Sequence, residues 1–170
     1  NEKQEQIEET QKIIKELEQK ESYYFNFRRL LFEQGEPLEE SVRQAFKLMS
    51  FSAEPFVKDD MEHDVILTSN EGRIIVEIEG KNNSAIDIKK LDQLSRVVDE
   101  DFQRNKNPEP EYALGLLVGN PHRKTSPNER TEPFTKKLLI SAKRKRFKII
   151  TTQELFKAVC QILTNPNDDK

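Results

Sequence analysis

The start of the chain carries a helical pattern. Residues 1–34 contain no Pro or Gly and are dense in Glu, Lys and Gln, so we predict one extended helix there. Its apolar residues recur at intervals of three, four or seven, as a weak heptad seam requires. They are Ile7, Ile14, Leu17, Tyr24 and Leu31. This pattern fits the end of a coiled coil that continues upstream, a connecting helix, or an amphipathic helix with one face in solvent.

From residue 35 onward, segments with helical periodicity alternate with segments typical of strands. The helical segments are residues 37–51, 85–103, a stretch from Phe134, and 153–163, and the strands are residues 54–58, 63–68, 73–81, 112–119 and 147–151. The fourth strand is wholly apolar, which is typical of burial on both faces. The order αβββαβαβα predicts an α/β fold with a mixed central sheet flanked by helices. We therefore divide the chain into an N-terminal helix (1–34), one domain (35–164) and a frayed tail (165–170).

Composition limits the class of protein. Of the 170 residues, 34% are hydrophobic and 35% are charged, so the core must be economical. No apolar run approaches the roughly 18–20 residues of a membrane helix, and no signal-peptide pattern follows Asn1, so we expect no membrane association. Because the first residue is not Met, we expect a piece of a longer protein. A single cysteine, Cys160, excludes an internal disulfide and fits a small buried side chain in a cytoplasmic protein.

Charge is distributed unevenly along the chain. Residues 119–157 carry 11 Lys and Arg but 3 Glu, a net charge of +8, whereas residues 1–118 carry a net charge of −10. The basic segment predicts nucleic acid as a partner, with phosphate contacts from a polar loop and from a basic run that closes a helix. The candidates are Arg123, Lys124, Arg130, Lys143, Arg144, Lys145 and Arg146. The helix dipole alone also favours cations at a helix end, so the basic run has a purely structural alternative.

One predicted strand places charges on a single face. Residues 74–83 read IIVEIEGKNN, and side chains alternate along a strand, so Glu77, Glu79 and Lys81 point the same way. A hairpin turn joins this strand to the preceding one, and its register places Asp64 across from residues 77–79. Two carboxylates brought together in this way repel each other unless a cation lies between them. A solvated edge face, whose charges discourage aggregation, is the alternative.

Paired carboxylates of this kind suit a hard cation. Their oxygens favour Mg²⁺, with Mn²⁺ as a substitute, and Asp64 and Glu79 are the expected ligands. A metal there would neutralise a scissile phosphate and activate a water molecule for attack. Lys81 would position the phosphate or stabilise developing charge, because neighbouring carboxylates favour its protonated form over that of a general base.

The same residues carry a family resemblance. Asp64 followed by Glu79-Gly80-Lys81 resembles the PD-(D/E)XK motif of the restriction-endonuclease-like nuclease superfamily, with His63 at the position of the proline. Residues 38–42, LEESV, resemble the FExxV helix of Mrr-like restriction enzymes, which implies Glu39 as a further acidic ligand of the metal. In the broader superfamily the helix after the lysine carries a glutamine, and Gln93 occupies that place.

The resemblance spans residues 37–163 and implies a restriction-endonuclease-like core. It also implies a Mg²⁺-dependent nuclease that hydrolyses phosphodiester bonds, with DNA as the expected substrate, as the effector part of a larger prokaryotic restriction or defence protein. The N-terminal helix would join it to a second copy or to an upstream domain. The alternative is a catalytically inactive domain of the same fold that serves as a nucleic-acid-binding or assembly module. The implied catalytic residues are Glu39, Asp64, Glu79, Lys81 and Gln93.

Overall fold

The computed structural model describes residues 2–55, 64–104 and 112–164. Its helices are α1 (Glu2–Phe27), α2 (Arg29–Phe32), α3 (Glu36–Leu48), α4 (Ile88–Arg104), α5 (Lys136–Lys145) and α6 (Thr152–Thr164). Its strands are β1 (Ser52–Glu54), β2 (Val65–Ser69), β3 (Gly72–Gly80), β4 (Leu114–Asn120) and β5 (Lys148–Thr151). His63, most of the predicted strand 54–58 and the predicted tail 165–170 lie outside the described residues.

The strands form one mixed sheet in the order β1-β2-β3-β4-β5. β1, β2 and β3 pair antiparallel as a meander, and β3, β4 and β5 pair in parallel. The parallel pairs are joined by α4 and by α5, as crossover connections require. The predicted α/β fold, its element order and its long N-terminal helix are confirmed.

Helices cover both faces of this sheet, and the middle of β3 is buried on both of its faces. Val76 and Ile78 pack into a core with α2, α3 and α6, and Ile75 packs into a second core with α4 and α5. The wholly apolar β4 contributes to both, through Val118 on one face and Leu117 on the other. The prediction that β4 is buried on both faces is therefore confirmed, and Glu77 is the charged residue within the buried middle of β3.

The N-terminal helix joins this domain only at its carboxyl end. Residues 3–26 are exposed along the whole of α1, whereas Phe27 and Leu30 are buried in the core. A turn at Arg28 separates α1 from α2. The seam positions predicted from the heptad pattern are open to solvent, with Ile7 56% and Leu17 58% exposed. Nothing in the described chain supports α1 laterally, so it projects as an extension.

Local sequence explains where the last two helices begin. The Thr135 hydroxyl accepts a hydrogen bond from the Leu138 amide at the start of α5. At α6 the Thr151 hydroxyl accepts from the Glu154 amide while the Glu154 carboxylate accepts from the Thr151 amide, a reciprocal capping box. Thr151 is thus the N-cap of α6. In the parts of the chain that the structure describes, every helix is too short or too polar to cross a bilayer.

Candidate active site

The β2–β3 hairpin brings Asp64 to the middle of β3. Val65 pairs with Val76, so the residue before it stands beside Glu77. The Asp64 carboxylate is fixed there because its Oδ2 accepts a hydrogen bond from the Ile78 amide at 2.6 Å. The hairpin register worked out from the sequence thus places Asp64 against the charged part of β3.

Glu77 is the centre of this cluster. It is fully buried, with 0% of its surface exposed, on the face of β3 that α4 covers. The Lys90 Nζ of α4 lies 2.6 Å from Glu77 Oε2 and 3.5 Å from Asp64 Oδ2, so one ammonium group pairs with two carboxylates. The contact with Glu77 is close enough for a hydrogen bond but poorly directed, and we treat it as an ion pair. Among the described residues, neither oxygen of Glu77 accepts a well-formed hydrogen bond.

Burial and mutual repulsion shift the pKa values of these carboxylates. Burial, followed by the charge of Asp64, raises the pKa of Glu77 to about 7, although Lys90 opposes the change. Burial also raises the pKa of Asp64, against the effects of Lys90 and the Ile78 amide. Glu39, at the start of α3, has its pKa raised by burial and then by Asp64. The three carboxylates therefore lie close enough to repel one another, and a bound cation would reduce that repulsion.

Glu79 and Lys81 form a second pair nearer the rim. Lys81 Nζ lies 3.0 Å from Glu79 Oε1 and 3.8 Å from Asp87 Oδ2. The hydrogen bond with Glu79 raises the pKa of Lys81, so its ammonium group stays charged. The Lys81 side chain is 34% exposed, against 16% for Lys90. Lys81 can therefore meet a ligand from solvent, whereas Lys90 acts inside the cluster.

The structure thus contains two Glu–Lys pairs where the sequence argument selected one. The predicted residues Glu79 and Lys81 pair with each other nearer the rim. Beside Asp64 lie Glu77, on the neighbouring strand, and Lys90, whose ammonium group contacts the Asp64 carboxylate. A signal for Glu77 was present: it is a charge inside an apolar strand, on the same face as Glu79. Lys90 gave a weaker signal, since it lies next to the buried stripe that contains Leu91 and Leu94 on α4.

Gln93, predicted from the resemblance, lies three residues after Lys90 on α4 and is half-buried. Residues three apart on a helix share a face, so Gln93 lies on the same side as Lys90. Its amide makes no hydrogen bond to the carboxylate cluster within the described residues. Its role stays a prediction.

The donor set has the chemistry of a hard-cation site. Carboxylate oxygens are the ligands that Mg²⁺ prefers, and the buried oxygens of Glu77 accept no well-formed hydrogen bond from the residues that the structure describes. Within the described residues, however, no three Asp, Glu, His or Cys side chains form a group that could hold a metal ion. The cation that contacts both Asp64 and Glu77 is the Lys90 ammonium group. A metal held by these residues fits their chemistry if Asp64 and Glu77 serve as ligands and water molecules complete the shell.

The basic loop after β4 is engaged with the protein itself. The Arg130 guanidinium donates hydrogen bonds to the Leu31 carbonyl and, at 2.8 Å, to Asn120 Oδ1. Arg123 donates to the Phe32 carbonyl at 2.7 Å. Lys124, in contrast, is exposed to solvent. Of the three loop cations predicted to contact phosphate, Lys124 is therefore the one most open to a ligand.

The predicted basic run lies at the other edge of the sheet. Lys143, Arg144, Lys145 and Arg146 close α5 and are exposed, and Lys145 Nζ donates to Ser95 Oγ at 2.9 Å. The chain then enters β5 at Lys148, which pairs with Leu116, whereas Glu79 pairs with Gly119 near the opposite end of β4. The run therefore lies at a distance from the carboxylates, and its predicted contact with phosphate stays a prediction.

Comparison with known proteins supports the fold. No model of a known protein family matches the chain, and no curated protein matches it. The structure is similar to that of a repair endonuclease from Pyrococcus abyssi, with a TM-score of 0.50 and 15% sequence identity over 71% of this chain and 47% of that one. Protein VC1899 from Vibrio cholerae has a TM-score of 0.44 and 15% identity over 76% of this chain and 33% of that one. The chain spans about half the length of the repair endonuclease or less, so the similarity concerns an endonuclease-like fold.

Proposed function

We propose that the domain is a metal-dependent nuclease whose site is built on Asp64 and Glu77. The observation that carries this proposal is the fully buried Glu77 carboxylate, which accepts no well-formed hydrogen bond among the described residues and lies beside a second carboxylate. Burying two carboxylates side by side costs free energy. Groups with pKa values perturbed in this way are concentrated at functional sites. A bound Mg²⁺ or Mn²⁺ would supply charge neutralisation at the phosphate and an activated water. Glu79 and Glu39 would add negative charge around the ion.

The two lysines have different roles in this proposal. Lys90 orients Glu77 and opposes the rise in its pKa, because its ammonium group lies 2.6 Å from the carboxylate inside the cluster. Lys81 meets the substrate, since it is charged, partly exposed and placed after the end of β3. A lysine at the rim stabilises negative charge on a phosphate without needing to give up its proton.

We further propose DNA as the substrate and an effector role in a larger prokaryotic restriction or defence protein. The net charge of +8 over residues 119–157 supports a polyanionic ligand. The exposed basic end of α5 and Lys124 would contact the backbone of a long duplex. The similarity to a repair endonuclease supports cleavage within a chain, and the effector role rests on the superfamily resemblance.

The experiment that tests the nuclease proposal is a cleavage assay on supercoiled plasmid, single-stranded DNA and RNA with Mg²⁺, Mn²⁺ or EDTA. We expect metal-dependent nicking of the plasmid that falls by about a hundredfold or more in Glu77→Gln and Lys81→Met. Glu71→Gln and Lys89→Met are the matched controls, because Glu71 is exposed in the β2–β3 turn and Lys89 is exposed at the start of α4. Equal activity in Glu77→Gln and in Glu71→Gln would refute Glu77 as a ligand.

A second function has one specific observation in its favour. Lys90 already supplies a cation to Asp64 and Glu77, so the cluster is neutralised in part without a metal. This supports a nucleic-acid-binding or assembly module that retains the fold without catalysis. Titration calorimetry with Mn²⁺ separates the two proposals: heat that disappears in Glu77→Gln favours the nuclease, and no heat with the parent chain favours the module.

A further inference from the structure

Residues 33–34, which follow α2, are packed directly against the end of β3. A Cβ atom added to Gly80 would lie 2.6 Å from the Gln34 Cβ and 3.3 Å from the Glu33 carbonyl oxygen. Strand and helix end approach so closely that only a glycine fits at that position. The contact occurs one residue before Lys81. A movement of residues 33–34 would therefore displace the main chain next to Lys81, at the rim of the candidate site.

A fully buried asparagine joins the same two segments through polar contacts. Asn120 is 0% exposed, and its Nδ2 donates to the Glu33 carbonyl at 2.9 Å. Its own main-chain carbonyl accepts a hydrogen bond from the Lys81 amide at 3.0 Å. Its Oδ1 accepts from Arg130 at 2.8 Å. Asn120 thus contacts the helix end, the segment after β3 and Arg130 at once.

Two arginines cap the carbonyl groups that end α2. Arg130 donates to the Leu31 carbonyl and also to the Thr125 carbonyl of its own loop, at 3.1 Å. Arg123 donates to the Phe32 carbonyl at 2.7 Å. The last carbonyls of a helix have no partner within the helix and attract cations, so these contacts are both satisfied and charge-assisted.

The loop that carries these arginines is itself paired with the segment after β3. The Lys81 carbonyl accepts a hydrogen bond from the Arg123 amide at 2.9 Å, and the Asn82 carbonyl accepts from the Lys124 amide at 3.2 Å. The main chain of Lys81 is thus bonded to the loop through both its amide and its carbonyl. We name residues 120–130 the clamp loop.

We propose that Arg130, through the clamp loop, is a positioning residue that couples the N-terminal helix to the main chain of Lys81. The helix end, the clamp loop and the segment after β3 share hydrogen bonds at the carbonyls of residues 31–33 and at Lys81. The chain that leads into this clamped end is α1, which is exposed to solvent and joined to α2 by the turn at Arg28. A partner or domain that binds α1 therefore acts on the rim of the site. The effect on catalysis rests on the proposed function, whereas the coupling itself does not.

The coupling is tested by hydrogen exchange with mass spectrometry on the full chain without metal, comparing Arg130→Gln with Glu129→Gln. Glu129 is the exposed neighbour of Arg130 and serves as the matched control. We expect Arg130→Gln to accelerate exchange roughly tenfold both at residues 29–34 and at residues 81–84, as the loss of charge-assisted hydrogen bonds predicts. Residues 74–77, in the middle of β3, should exchange as in the parent chain.

Two results would overturn the proposal. Faster exchange at residues 29–34 alone means that Arg130 caps the helix without reaching Lys81. Faster exchange throughout the sheet, seen in Arg130→Gln and again in Arg123→Gln, means that the contacts serve general stability.

If the parent chain cleaves DNA, Arg130→Gln should lower kcat about tenfold with little change in KM, and Arg130→Lys should restore only part of it, because lysine lacks the planar fork. If the parent chain is inactive, the proposed function fails and the exchange result still decides the coupling.

Discussion

Glu77 should make the protein less stable as the pH rises towards neutrality, and Glu77→Gln should remove that loss. An acid whose pKa is raised by folding binds more protons in the folded chain than in the unfolded chain between the two pKa values. Its contribution to the free energy of unfolding is therefore largest at low pH and falls as the pH rises. For Glu77 the window runs from its ordinary pKa of 4.5 to about 7.

The size of the effect follows from the same two values. A difference between 4.5 and about 7 corresponds to a loss of about 2–3 kcal/mol between pH 5 and pH 8. Glutamine has the shape of the protonated acid and cannot ionise. Glu77→Gln should therefore be close to the parent chain in stability at pH 5 and about 2–3 kcal/mol more stable than it at pH 8.

Neighbouring groups also change with pH in both proteins, and the comparison removes the part of their contribution that does not depend on Glu77. Asp64 before β2 and Glu39 on α3 also have raised pKa values, so they contribute in the same direction. Lys90 on α4 has its pKa raised because Glu77 and Asp64 outweigh the opposing effect of burial. Its stabilising contribution is lost only above its ordinary value of 10.5, outside this window.

The assay is urea unfolding in EDTA at pH 5 and pH 8, with Glu71→Gln as the exposed control. The expected result is a difference between parent and variant that appears only at pH 8. If the parent chain loses no more stability than Glu77→Gln between the two pH values, Glu77 is not held in a desolvated site and the reasoning fails. Adding Mg²⁺ at pH 8 should stabilise the parent chain and leave the variant nearly unchanged if Glu77 is a ligand.

Three further predictions concern other parts of the chain. Lys90→Met should lower the free energy of unfolding by about 3 kcal/mol at pH 8, because it leaves Glu77 without its cation, and urea unfolding beside Lys89→Met checks this. Gly80→Ala should cost about 1–3 kcal/mol, since the new Cβ would lie 2.6 Å from the Gln34 Cβ, and a drop in thermal midpoint without loss of helical signal would show it. The amides of α1 should exchange quickly in dilute protein, because its apolar side chains are exposed, and should gain protection with concentration if a second copy pairs with it; protection that is high at every concentration would contradict this.

Periodicity alone predicted the fold because nearly every element has an apolar face that must be buried. The apolar stripe of α4 predicted a helix that packs with one face on the sheet. The unbroken apolar run of β4 predicted a strand buried on both faces. The break at Arg28 was not predictable in this way, since helix propensity runs through it. Its cause is tertiary: Phe27 and Leu30 enter the core, so the helix must turn where it meets the sheet.

The candidate site was predictable only as far as local geometry reaches. Hairpin register is local, so Asp64 could be placed against β3 from the sequence. Lys90 reaches Glu77 because α4 crosses over the face of β3, and no spacing along the chain reveals that. A motif that pairs each glutamate with the next lysine therefore favours Glu79 and Lys81, whereas packing pairs Glu77 with Lys90.

The two arginines of the clamp loop show the same limit from the other direction. From sequence, a basic loop after a buried strand predicts a ligand, because free cations on a loop are common phosphate contacts. Arg123 and Arg130 are instead spent on the carbonyl groups at the end of α2, more than 80 residues earlier in the chain. A charge count cannot distinguish a cation that waits for a phosphate from one that completes a helix end. The distinction requires the position of α2, and that position is set by Gly80, Asn120 and the helix that leads out of the domain.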